Sequence, residues 1–117
     1  MSSSAAGLVL IPTYNERENV ELIIRAVLAL PKDFHVLIID DGSPDGTGAI
    51  VRGLLSEFAG RLFLEERSGK LGLGTAYIFG FRWALARGYP FVYEMDADFS
   101  HNPHDLLRLH ETCAVQG

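Results

Sequence analysis

The chain has 117 residues, 48% of them apolar and 21% charged, a composition that supports one folded domain with a core and excludes a disordered chain. Its 15 acidic residues against 10 basic ones leave a net charge of −5, which argues against a nucleic-acid binder and against a polybasic membrane patch. The single cysteine, Cys113, excludes an internal disulfide or a cysteine metal cluster, so a reducing compartment is the expected home.

The opening MSSSAAGLVLIPTYNE has no basic flank and only about six apolar residues before Pro12, too short for a signal peptide. Residues 1–6 are expected to form a loose tail. No window approaches the roughly 18 to 20 apolar residues of a membrane span. Two runs, GLVLIP (7–12) and HVLIID (35–40), are rich in Val, Ile and Leu and end in polar clusters, as buried parallel strands do. Weaker strands are expected at 61–66 and 90–95. Between them, apolar residues recur at helical spacing over 16–30, 46–59 and 73–87. A last helix is expected over 103–115, with Asn102 as cap and Pro103 at the first helical position.

The order β-α-β-α-β-α-β-α predicts an α/β fold, a Rossmann-like half whose mostly parallel sheet carries helices on both faces. Ligands of such sheets sit beyond the carboxyl ends of the strands, where the strand order switches. The polar clusters fall at those ends. Residues 1–117 are expected to form a single domain, and four strands make a small sheet, so a truncated chain is also expected.

After the first strand, Tyr14 offers a flat face for a base or sugar and Glu16 can accept from a ring N–H or a ribose hydroxyl. Equally, Asn15 or Thr13 could cap the next helix and Glu16 favour its N-terminus. After the second strand, DGSPDGT has turn chemistry, with Asp45 or Thr47 as a helix cap. Adjacent Asp40 and Asp41 at a buried strand end need partners, and at least one is expected to contact a ligand.

GKLGLGT (69–75) lacks the order of a Walker motif; it reads as a flexible loop entering a helix N-terminus, suited to an anion or simply connecting two elements. MDADFSHN (95–102) places Asp96 and Asp98 two residues apart at a strand end. Both carboxylates can face one divalent cation if the backbone leaves extended geometry, and oxygen ligands suit Mg2+ or Mn2+. Such a metal removes their repulsion and usually also meets substrate phosphates, so the pair points to a nucleotide diphosphate. His101 and His104 are expected to be solvated, His110 to lie on the exposed side of the last helix, and Trp83 to be core. A phospho-receiver domain has a similar size and acidic pair, but it needs a lysine further on and none follows Asp98.

LIPTYNERENV, IIDDGSPDGTG, GKLGLGTAYIFGFRWALARGY and MDADFSHNP, in this order and spacing, resemble family 2 glycosyltransferases, and more narrowly the dolichol-phosphate or polyprenol-phosphate mannosyltransferases. The resemblance covers nearly all of residues 8–109. It implies a GT-A fold, GDP-mannose as donor, a polyprenol or dolichol phosphate as acceptor, and a Mg2+ or Mn2+ ion at Asp96 and Asp98. Carried over by motif, it implies that Pro12, Tyr14, Glu16, Ile39 and Asp41 line the base and ribose. Asp96, Ala97 and Asp98 would meet the diphosphate, and Ser100 stands where some relatives have a glutamine near the metal.

The implied reaction moves mannose with inversion onto a lipid phosphate, which is already anionic and needs no protein base, so no catalytic acid or base is expected. A peripheral location at the cytoplasmic membrane face follows, reached with an anchoring partner. The alternatives are a sibling enzyme that uses a UDP-sugar and undecaprenyl phosphate, or a non-catalytic nucleotide-binding module.

Overall fold

A computed structural model describes residues 5–69, 71–99 and 102–116. These form the strands β1 (Gly7–Thr13), β2 (Phe34–Asp40), β3 (Leu62–Glu66) and β4 (Val92–Glu94), alternating with the helices α1 (Val20–Leu28), α2 (Thr47–Leu54), α3 (Leu73–Ala86) and α4 (Asp105–Gln116). All strand pairs are parallel, in the order β3-β2-β1-β4. The chain therefore moves outward from β1 to β3, then returns past β1 to lay β4 on its other side. The switch in strand order lies between β1 and β4, where an open sheet leaves a crevice at its carboxyl edge.

The helices cover both faces, as the alternating side chains of β1 and β2 require. Val9, Ile11, Val36 and Ile38 pack with α1, α2 and Leu106 of α4. Leu8, Leu10, Leu37 and Ile39 face the other way, onto Ala76, Trp83 and Ala84 of α3. Both faces of these strands are buried, which is why their sequences are continuous apolar runs.

Three local expectations are corrected. Of the loose tail expected over residues 1–6, residues 1–4 lie outside the described residues, and Ala5 and Ala6 are held: Ala5 is buried and the Ala6 N–H donates to the Asp33 carbonyl at 2.8 Å. Helix α1 starts at Val20 rather than near residue 16, and its cap position, Asn19, makes no side-chain capping bond. His110 is not on an open face; its ring packs edge-on against Phe34, Phe91 and Tyr93, and its Nδ1 lies 3.0 Å from the Tyr93 hydroxyl. Trp83 is core as expected, with its indole N–H donating to Glu65 at 3.0 Å.

Candidate functional site

The residues at the ends of β1 and β4 meet around one cavity of about 220 Å³ lined by Pro12, Thr13, Tyr14, Glu16, Leu73, Asp96, Ala97 and Asp98. Three parts of the chain supply it: the end of β1 with the loop leaving it, the segment leaving β4, and the first residue of α3. Each arrives there because of the strand switch. Beyond β4 the chain leaves extended geometry into a turn at Ala97 and Asp98, followed by Phe99 at a left-handed φ of 62°. That change of direction is what the pair needed to face one ligand. Asp98 is exposed, Asp96 is half-buried and Ala97 is buried.

Tyr77 on α3 reaches the same cluster, its hydroxyl 3.5 Å from Asp96 Oδ1. Burial, reinforced by the Asp96 and Glu94 carboxylates, pushes that phenol up to about 12, so it remains a donor toward Asp96. Among the described residues no group of three or more His, Cys, Asp or Glu side chains gathers as a metal site. Two carboxylates on an open cavity still fit a hard cation that takes its other ligands from water and a phosphate, the usual habit of Mg2+.

The adjacent acids after β2 are satisfied inside the protein. Asp40 Oδ1 accepts from the Thr13 and Ser43 hydroxyls, each at 2.7 Å, and Oδ2 accepts from the Ser43 amide at 3.0 Å. Asp41 is paired with Arg67 through two bonds, at 2.7 and 3.0 Å, and also accepts from the Leu71 amide at 3.2 Å. The burial cost that called for a ligand is thus met by protein donors. Arg67 reaches on to Thr75 and to the Gly72 carbonyl, which anchors the glycine-rich segment before α3. The side chain of Ile39 is fully buried against α3, so a contact with a ligand there would be through its main chain.

Neither Asn15 nor Thr13 caps α1. Thr13 donates to Asp40, and Asn15 adopts a left-handed φ of 57°. Nor do Asp45 and Thr47 cap α2 in the expected way, since Gly46 holds the cap position without a side-chain bond. Asp45 Oδ1 does accept from the N–H of Thr47, the first residue of α2, at 3.0 Å, and Asp45 and Thr47 both also reach across to the loop after β1. Ser100, His101 and Lys70 lie outside the described residues. His104 is exposed, as expected.

Of the eight expected binding residues, six line the cavity: Pro12, Tyr14, Glu16, Asp96, Ala97 and Asp98. Thr13 and Leu73 join them, and Tyr77 and Arg67 support the site; none of these four was singled out for it. A larger cavity of about 480 Å³, lined by Glu94, Met95, Asn102, Asp105, Leu106, Arg108 and Leu109, lies between β4 and α4. It lacks the convergence of strand ends, aromatic face and carboxylate pair that marks the smaller one.

Residues 8–113 match the model of glycosyl transferase family 2. The chain belongs to glycosyl transferase family 2. Among curated relatives, this family 2 chain is 52% identical over 102 residues to the polyprenol monophosphomannose synthase of Mycolicibacterium smegmatis, covering 87% of the chain and 38% of the relative. It is 46% identical over 104 residues to the undecaprenyl-phosphate mannosyltransferase of Micrococcus luteus, covering 89% and 42%. The chain thus spans about two fifths of the length of those relatives. A mannosyltransferase from Pyrobaculum calidifontis, solved in complex with GDP-Man and Mn2+, superposes with a TM-score of 0.56 at 30% identity, over 70% of this chain and 25% of that one. S. aureus TarS superposes at 0.68 with 26% identity, over 89% and 31%. The fold is the GT-A fold of glycosyltransferases.

Proposed function

We propose that the chain is the donor-binding part of a mannosyltransferase that moves mannose from GDP-mannose to a polyprenol or dolichol phosphate. The observation that carries this reading is the shared cavity, lined by Tyr14 and Glu16 from beyond β1 and by Asp96 and Asp98 from beyond β4. An aromatic face beside a carboxylate suits a base and a ribose, and a carboxylate pair suits a metal-bound diphosphate. The 52% identity to a polyprenol monophosphomannose synthase supports mannose and a polyprenol carrier.

Asp96 and Asp98 would hold a Mg2+ or Mn2+ ion, which when bound neutralises charge on the diphosphate leaving group. Tyr77 orients the Asp96 carboxylate toward the cavity, and Tyr14 and Glu16 hold the nucleoside end. Pro12, with no N–H of its own, leaves an apolar rim beside the base. The acceptor phosphate oxygen attacks the anomeric carbon from the face opposite GDP. A new C–O bond forms as the bond to the β-phosphate oxygen breaks, and that electron pair leaves on GDP. The configuration inverts, and no proton has to be removed from the nucleophile. Holding the partners in line is then the protein's main task.

No helix among the described residues is long and apolar enough to cross a membrane. The lipid-phosphate acceptor of the proposed reaction would bring the site to a membrane surface; the cytoplasmic face and a membrane-anchoring partner are part of the same proposal.

The test is to incubate the protein with radiolabelled GDP-mannose, Mn2+ and a short polyprenyl phosphate in detergent. Label passing into the organic phase supports the reading. No transfer from GDP-mannose, with transfer from a UDP-sugar under the same conditions, would replace it with the sibling chemistry. TarS, which superposes well, is itself known in complex with UDP-GlcNAc, which makes that arm worth running.

A further inference from the structure

Three consecutive backbone N–H groups of the loop after β1 are accepted by side chains from the loop after β2 and from the first residue of α2. The Asn15 N–H donates to Ser43 Oγ at 2.8 Å, Glu16 to Thr47 Oγ1 at 3.0 Å, and Arg17 to Asp45 Oδ2 at 3.2 Å. The partners are 28 to 31 residues apart in sequence, so the ladder ties the loop after β1 to the β2–α2 connection rather than closing a local turn.

Each acceptor is fixed in turn. The Ser43 hydroxyl donates to Asp40 Oδ1 at 2.7 Å, and the Thr47 hydroxyl donates to Asp45 Oδ1 at 2.5 Å. A hydroxyl has one proton, so with that proton placed it can only accept from the loop amides. The two hydroxyls are thereby held with a lone pair toward the loop, and the Asp45 carboxylate accepts in any case. Asn15 takes its left-handed φ of 57° within this ladder, a conformation asparagine tolerates better than other side-chain-bearing residues.

Tyr14 and Glu16, on either side of Asn15, line the cavity, whereas Ser43, Asp45 and Thr47 do not. We infer that Ser43, Asp45 and Thr47 are positioning residues for the nucleotide donor, acting through the main chain that carries Tyr14 and Glu16. This rests on the donor-site reading above. The loop is ordered before the donor arrives, so binding need not spend free energy on ordering it. The DGSPDGT block is then less a turn than a clamp on the neighbouring loop.

Thr47→Val keeps the shape of the side chain and removes the acceptor; Thr47→Ser keeps the hydroxyl. Both are compared with the parent by amide hydrogen exchange and by calorimetric titration with GDP and Mn2+. Thr47→Val is expected to speed exchange of the Glu16 amide and to weaken GDP binding by about threefold to tenfold, the range for one lost hydrogen bond. Exchange at Leu10 and Ile38 in the sheet stays at the parent rate. Thr47→Ser restores both readouts to within about twofold. If Thr47→Val loosens the sheet itself, Ser43→Ala carries the same expectations at the Asn15 amide. Variants that bind GDP as the parent does overturn the inference and leave the donor site standing. A parent that binds no GDP fails the donor-site reading first, and the inference with it.

Discussion

Asp41 and Arg67 form a two-bond ion pair, 2.7 and 3.0 Å long, with the side chains only 9% and 11% exposed. The pair ties the end of β2 to the segment that enters α3, because Arg67 also reaches Thr75 and Gly72. Removing one partner of such a pair strands the other without a counter-charge. Arg67→Ala is expected to destabilise the protein by about 3 kcal/mol, read as a lower midpoint in chemical denaturation. A midpoint within error of the parent would mean that water replaces Arg67 at little cost.

Gly42 sits at φ 69°, and a Cβ there would stand 3.0 Å from the Gly69 amide nitrogen and 3.3 Å from the Arg67 carbonyl. Both neighbours are backbone and cannot swing aside. Gly42→Ala is expected to cost at least about 1–2 kcal/mol, the left-handed penalty alone. Denaturation measures it, and an unchanged stability would show that the turn relaxes freely.

Asp98→Ala removes an exposed carboxylate at a strand end and leaves core packing intact. Metal-dependent nucleotide binding should be lost, with stability within about 0.5 kcal/mol of the parent. Calorimetry and thermal unfolding on the same sample separate the two effects, and unimpaired binding would remove Asp98 from the metal site.

His35 is held below its ordinary value of 6.5: burial lowers it, the Arg61 charge adds to that, and Asp33 opposes. A depressed histidine favours the neutral ring in the folded state. Its contribution is therefore fully present above about pH 6.5 and is lost as pH falls through the folded value. Denaturation midpoints should drop from pH 7.5 to pH 5, and the drop should be shallower in His35→Gln. An equal drop in both would assign the effect to other groups.

The element order and the parallel sheet were legible because β1 and β2 are continuous apolar runs ending in polar clusters, and because α3 carries Ala76, Trp83 and Ala84 at helical spacing. The start of α1 was not. Residues 15–17 give their amides to Ser43, Thr47 and Asp45, a long-range arrangement that no local pattern encodes. The inward direction of the Ile39 side chain was not legible for a related reason: a strand buried on both faces shows no polar alternation to reveal which residue points where. His110 looked like a surface residue because its apolar neighbours, Phe34 and Phe91, come from distant strands and loops. At the site, Tyr14, Glu16 and the Asp96/Asp98 pair could be found from residue type and strand-end position. Arg67 gave no signal, since a lone arginine after a strand looks like any solvated charge.

The most direct measurement is calorimetric titration of the protein with GDP and, separately, UDP, each with and without Mn2+. Binding of GDP that requires Mn2+ and exceeds that of UDP is the expected result, with the Asp96/Asp98 pair as the metal-dependent element. Binding of neither nucleotide, or GDP binding indifferent to the metal, would contradict the assignment of a metal-bridged donor site to the ends of β1 and β4.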